Sequence, residues 1–127
     1  MELKEKVHAR NQLIIRGNTV KAMEIYYADE VEMQENEDAP RKGKSACMSA
    51  EQDNLKNVAK LECRLLNQAI DAERNVVFSE WSFLITRKDD TQFMLTEVSV
   101  QYWVNGQVAR EKFYYKEFHK AGVQVRY

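Results

Sequence analysis

The chain has 127 residues, 44% of them hydrophobic and 31% charged, and a formal net charge of −1. That length supports one domain with one real core, spanning 1–127. The near-neutral balance excludes a broad electrostatic surface for nucleic acid or an anionic membrane. The apolar runs are far too short for a membrane span, and the opening MELKEKVHAR lacks the apolar stretch of a secretory signal. With Cys47 and Cys63 as its two cysteines, the protein is expected to keep reduced thiols in a cytoplasm.

From Glu2 to Arg16, the residues Leu3, Val7, Arg10 and Ile14 recur at helical spacing, and Gly17 is the expected stop. Asn18 then caps a second helix to about Tyr27, with Val20, Met23 and Tyr27 on one side. Residues 30–36 alternate as a short strand, NEDAPRKGK is a loop, and Ser45 opens a third helix to about Asn57. The second half changes character. Segments 58–70, 75–87, 92–104 and 107–118 read as four long antiparallel strands, rich in β-branched and aromatic residues and joined by short connections.

Asn105-Gly106 predicts a type I′ turn, because that turn needs positive φ at both central residues. Pairing Val104 with Gln107 sets Val100 against Glu111 and Val98 against Phe113. An even-numbered loop around Asp89-Asp90 sets Ile85 by Met94 and Trp81 by Val98. One face then collects Val77, Trp81, Phe83 and Ile85 with Met94, Val98, Val100, Tyr102 and Phe113, and the helices must cover it. The other face mixes Glu80, Glu97, Gln101, Arg110 and Lys112 with Phe78, Leu84, Leu95, Trp103 and Tyr114. That mixture suits a sheet-to-sheet homodimer. A bulge would invert part of this assignment.

Six carboxylates lie between Asp29 and Asp38. By strand parity Glu35 points with Val31 and Met33, while the other five have a plain reading as solvated surface. Glu111 is a second acid on the mainly apolar sheet face, and Arg10 lies within the apolar stripe of the first helix. A buried carboxylate is costly unless paired or hydrogen-bonded. The three groups therefore form a structural ion network, a polar ligand site, or a site with a carboxylate tuned for proton transfer.

The segments IYYADEVEMQENEDAPRKGKSA and VSVQYWVNGQVAREKFYY resemble the nuclear transport factor 2-like superfamily, most closely its SnoaL-like polyketide cyclase and ketosteroid isomerase branch. The resemblance covers essentially the whole chain as one SnoaL-like domain. It implies an α+β fold, a cone-shaped curved sheet wrapped around three helices, with a deep apolar pocket and a homodimer formed through the sheets. Glu35 falls where the isomerases have their aspartate general base. Arg10 stands at the position of their oxyanion-hole tyrosine, and Val100 at that of their protonated aspartate. Both neutral donors are thus replaced, which argues against steroid isomerisation by that mechanism.

Two functional classes follow. The first is a cofactor-independent cyclase, isomerase or dehydratase acting on an apolar carbonyl compound. Glu35 would be its general base, Arg10 would act on developing negative charge, and Glu111 would be a second acid or orienting group. Met33, Trp81, Phe83 and Val98 would contact the ligand, together with Val100, Tyr102, Phe113 and Tyr115. The second class is a non-catalytic ligand-binding or dimeric interaction module. No metal is expected, since His8 and His119 stand far apart without partners at ligand spacing. RKGKS lacks the flanking pattern of a phosphate loop, leaving Arg41, Lys42 and Lys44 as an anion dock or solvated loop charge. A Cys–His nucleophile pair stands against the plainer reading of two buried, inert thiols.

Overall fold

A computed structural model of the protein describes residues 2–116 and 119–120. Three helices, α1 (Leu3–Ile15), α2 (Thr19–Tyr26) and α3 (Lys44–Leu55), accompany seven strands. These are β1 (Tyr27–Glu35), β2 (Arg41–Lys42), β3 (Val58–Asp71), β4 (Val76–Arg87), β5 (Gln92–Val104), β6 (Gln107–Tyr115) and β7 (His119–Lys120). Along the sheet the order is β2-β1-β6-β5-β4-β3, with β7 pairing onto β5. The β1–β6 pair is parallel and the others are antiparallel. The last sequence-predicted strand ends at Tyr115, and its residues 117 and 118 lie outside the described residues.

The helical stripe forms as its spacing predicts, with Val7, Arg10, Asn11 and Ile14 buried on α1. Asn18 takes the N-cap position of α2 without a capping side-chain hydrogen bond. Two boundaries differ from the sequence reading. Tyr27 begins β1 instead of ending α2, and α3 opens from Gly43, whose φ of 95° suits glycine, rather than from Ser45. One core joins Val7, Met23, Tyr27, Val31 and Cys47 to Val77, Trp103 and Val108, so the helices cover the sheet face that carries the last three. A second cluster gathers Ile14, Ala22, Cys63 and Trp81. Trp81 is 2% exposed; fully burying a large apolar side chain contributes roughly 1.5–3 kcal/mol.

Two local irregularities decide which residues face the helices. Thr86 pairs with Gln92, leaving a five-residue loop in which Asp90 adopts φ 68°. An odd loop reverses the expected parity, so Trp81 lies opposite Glu97, Phe83 opposite Leu95 and Ser79 opposite Ser99. Leu95, Glu97, Ser99, Gln101 and Trp103 are consequently the buried residues of β5. Val98, Val100 and Tyr102 turn to the outer face, a correction to the sequence reading, and Trp103 moves inward at 3% exposed.

The Asn105-Gly106 turn has φ of 52° and 78° and sets Val104 against Gln107, as expected. Immediately beyond it, the register shifts: Trp103 pairs with Val108, but Tyr102 pairs with Arg110. Ala109 is the extra residue of this bulge. Without it, Val108 and Glu111 would point to opposite faces, being three residues apart. With it, both are fully buried, and Glu111 sits opposite Gln101 rather than Val100.

Candidate functional site

A cavity of about 450 Å³ lies between the helices and the covered sheet face. Arg10 reaches it from α1, Tyr27 from the α2–β1 junction and Glu111 from β6. The Arg10 guanidinium donates to the Tyr27 hydroxyl at 2.7 Å and lies 3.3 Å from Glu111 Oε2. Tyr27 donates to the other Glu111 oxygen through a very short hydrogen bond. Gln101 Nε2 donates to Glu111 at 2.7 Å, and Trp103 Nε1 donates to Gln101 Oε1 at 3.0 Å. Asn11 accepts from Arg10 at 3.2 Å and donates to Gln68 at 2.7 Å, tying the network to β3.

Desolvating two charges costs several kcal/mol each, and their attraction offsets this only when the remaining hydrogen-bonding positions are filled. Here both Glu111 oxygens are bonded, and Tyr27 serves both partners. Burial raises the Tyr27 pKa well above its ordinary value, with the Arg10 charge working against the shift and Glu111 adding to it. The phenol therefore stays a proton donor. Arg10 Nε and Ser99 Oγ are among the buried donors with no hydrogen-bond partner among the described residues, and both residues line the cavity.

Other acids line the same cavity. Burial first, then the negative charges of Glu111, Glu35 and Glu51, push the Glu97 carboxyl up to about 8, against the pull of Arg10. Glu51 on α3 is also raised, mainly by burial, although the Thr19 hydroxyl lowers it. Glu35 sits at the exposed end of β1, beside Tyr115. Burial, followed by the charge of Glu35 and a hydrogen bond to it, moves the Tyr115 phenol to about 12. Burial likewise lifts Cys63 to about 11 and raises Cys47, so neither thiol is poised as a nucleophile. Among the described residues, no group of His, Cys, Asp and Glu forms a metal site, and no helix is long and apolar enough to cross a membrane.

Of the residues singled out in the sequence, Arg10, Glu35 and Glu111 all line the cavity, as do Met33, Trp81, Phe83, Phe113 and Tyr115. Val98, Val100 and Tyr102 do not, because the odd β4–β5 loop turns them outward. Arg10 pairs with Glu111 and not with Glu35. The sequence reading missed Tyr27 as a polar partner, together with Glu51, Glu97, Ser99 and Gln101. Tyr27 was within reach, since it shares parity with Val31 and Met33. The β5 residues were not, because their alternation is inverted: the apolar Val98, Val100 and Tyr102 are the outward ones.

No protein-family profile matches the chain, and no curated protein matches it. Solved structures do. A Mesorhizobium loti protein provisionally described as a SnoaL-like polyketide cyclase is 22% identical with a TM-score of 0.75, covering 91% of this chain and 100% of its own. A nuclear transport factor 2-like protein of unknown function from Burkholderia pseudomallei is 11% identical with a TM-score of 0.76, covering 91% of this chain and 92% of its own. An LEH-like epoxide hydrolase from M. tuberculosis is 11% identical with a TM-score of 0.71, covering 88% and 80% respectively. The fold is the α+β cone of helices and mixed sheet seen in these nuclear transport factor 2-like and SnoaL-like structures.

Removing one partner of the buried pair leaves the other charge uncompensated. Arg10→Ala is expected to lower stability by about 3–5 kcal/mol in urea unfolding, whereas a loss under about 0.5 kcal/mol would contradict the buried pairing. Glu97 gives a pH signature. Its folded pKa of about 8 lies above the ordinary carboxyl value of 4.5, so the folded state alone keeps the proton between those values. Stability should therefore fall as pH rises from about 5 to about 8, by at most about 5 kcal/mol from this group, and level off above. Glu97→Gln, neutral throughout, should flatten that part of the profile; an unchanged slope would show that Glu97 does not hold a proton there.

Proposed function

We propose that the cavity binds a small, largely apolar carbonyl compound and that Glu35 moves a proton on it without a cofactor. The observation that carries this reading is that Arg10, Ser99 and the accessible Glu35 line one cavity together with Trp81 and Phe83. Arg10 and Ser99 line that space, and their Nε and Oγ, buried and without partners of their own, would serve a developing oxyanion once turned toward it. Glu35, at the exposed end of β1, can exchange its proton with water between turnovers. Glu111 acts through Arg10 by fixing the guanidinium. Trp81 and Phe83, stacked with ring centroids 5.9 Å apart, offer a flat apolar wall. This is the chemistry of a cyclase, isomerase or dehydratase, and a putting-together of parts that a plain core does not need.

We further infer a homodimer through the outer sheet face, in a reducing cytoplasm. Phe78, Val98 and Tyr114 are 45%, 38% and 46% exposed there, beside Val100 and Tyr102. Unpaired Cys47 and Cys63 are compatible with that compartment.

Two experiments test these readings. In a screen of apolar carbonyl compounds, Glu35→Gln should cut turnover by about 10²-fold or more while the melting temperature stays put. A rate that survives the substitution would remove Glu35 from the mechanism, and a ligand bound but never turned over would leave a binding module. For the interface, Phe78→Glu should give monomers in sedimentation. A native protein that already sediments as a monomer, or a variant of undiminished mass, would sink the dimer.

A further inference from the structure

Four of the residues lining the cavity are exposed and mark its mouth: Glu35, Arg41, Asn54 and Arg87. The proton-transfer scheme uses only the first. Glu35 and Arg41 stand on one side, on β1 and on the β2 strand paired with it, so their opposite charges offset each other at a distance. Arg87 stands apart from them at the end of β4. Asp89, close enough to interact with it, turns Oδ1 to the N–H and hydroxyl of Thr91.

Arg87 also ends an apolar lane. On β4, Trp81, Phe83, Ile85 and Arg87 alternate onto the covered face, and all four line the cavity. Leu95 and Phe93 lie opposite Phe83 and Ile85 on β5 and widen the same wall. Over roughly 20 Å of strand, the wall runs from a buried indole through apolar side chains to an exposed guanidinium. That guanidinium lies over the Phe93 ring at 4.3 Å, and among the described residues its side chain makes no hydrogen bond or ion pair. A cation so placed is steadied by the ring and keeps its N–H groups free.

We propose that the ligand of this cavity is a carboxylic acid, its apolar carbonyl-bearing body against the Trp81–Ile85 wall and its carboxylate at the mouth on Arg87. This rests on reading the cavity as a small-molecule site and adds the charge of what it takes. The planar guanidinium matches both oxygens of a carboxylate. Asn54 lines the mouth from the last turn of α3, and the 2.9 Å hydrogen bond from Lys88 N to Asn57 O joins that end of the helix segment to the end of β4. The acids of the cavity stand clear of this place or carry less charge. Glu111 is paired with Arg10, and Glu97 lies opposite Trp81 at the buried end of the lane. Burial raises Glu51 toward its neutral form. Glu35 lies three strands from β4, roughly 14 Å along the sheet, where the adjacent guanidinium outweighs it.

The test is calorimetric titration of the purified protein at neutral pH with three matched probes, naphthylbutanoate, naphthylbutanol and naphthylbutylamine. The acid should bind about tenfold or more tighter than the alcohol, with the amine weakest. Arg87→Gln should reduce the acid's advantage over the alcohol to roughly threefold or less. Arg87→Lys, which keeps the charge but loses the planar fork, should fall between the two, and Arg41→Gln should keep most of the advantage. If Arg41→Gln removes it and Arg87→Gln does not, the assignment to Arg87 is overturned. An alcohol or amine that binds as tightly as the acid overturns the carboxylate proposal and leaves the small-molecule reading standing. Failure of all three probes to bind overturns both.

Discussion

A guanidinium on the first helix and a carboxylate on the sixth strand meet out of water, where neither could remain charged alone. The hydrogen bonds around them recruit the rest of the cone. Tyr27 bonds to both partners from the junction of α2 and β1, Gln101 bonds from β5 and is itself held by Trp103, and Asn11 carries the network to Gln68 on β3. Each contact is a distance constraint between elements far apart in sequence. Helix, junction and sheet must therefore be in place together for the buried charges to be satisfied. The arrangement also fixes part of the cavity lining, since it holds the Arg10 guanidinium and the Glu111 carboxylate in place.

The fifth strand runs against the usual economy of a sheet. Its covered face carries Glu97, Ser99 and Gln101, while Val98, Val100 and Tyr102 turn outward. A strand selected only for stability would be the other way round. The hydrophobic effect does not favour burying Glu97 without a hydrogen bond, and its raised pKa is the direct consequence of that burial. Such departures concentrate where function demands polar groups in a dry space. The outward apolar residues have a matching logic if a second sheet covers them.

The bulge at Ala109 makes this inversion workable. Trp103 and Val108 pair inside, next to the turn, and an uninterrupted ladder would then send Glu111 and Phe113 outward. One extra residue returns both to the covered side, bringing Glu111 within reach of Arg10 and Phe113 to the cavity wall. Outside, the same shift lets Arg110 lie over Tyr102 at 4.1 Å, while Lys112 lies over its strand neighbour Tyr114 at 4.8 Å.

Local physics made much of the chain readable. Helical spacing places Val7, Arg10 and Ile14 on one buried face of α1; alternation sends Val31, Met33 and Glu35 inward; Asn105-Gly106 demands a hairpin because of its backbone freedom. Those features depend on residues within a turn or two of each other, so the sequence by itself determined them. The faces of β5 and the pairing partner of Arg10 are different in kind. They depend on an odd loop at Asp90 and an extra residue at Ala109. Each shifts a register by one, and one step in a strand exchanges its two sides. Only the assembled sheet, with a network that must leave no buried charge unpaired, decided that Glu97 and Ser99 face the cavity while Val98 and Tyr102 face away.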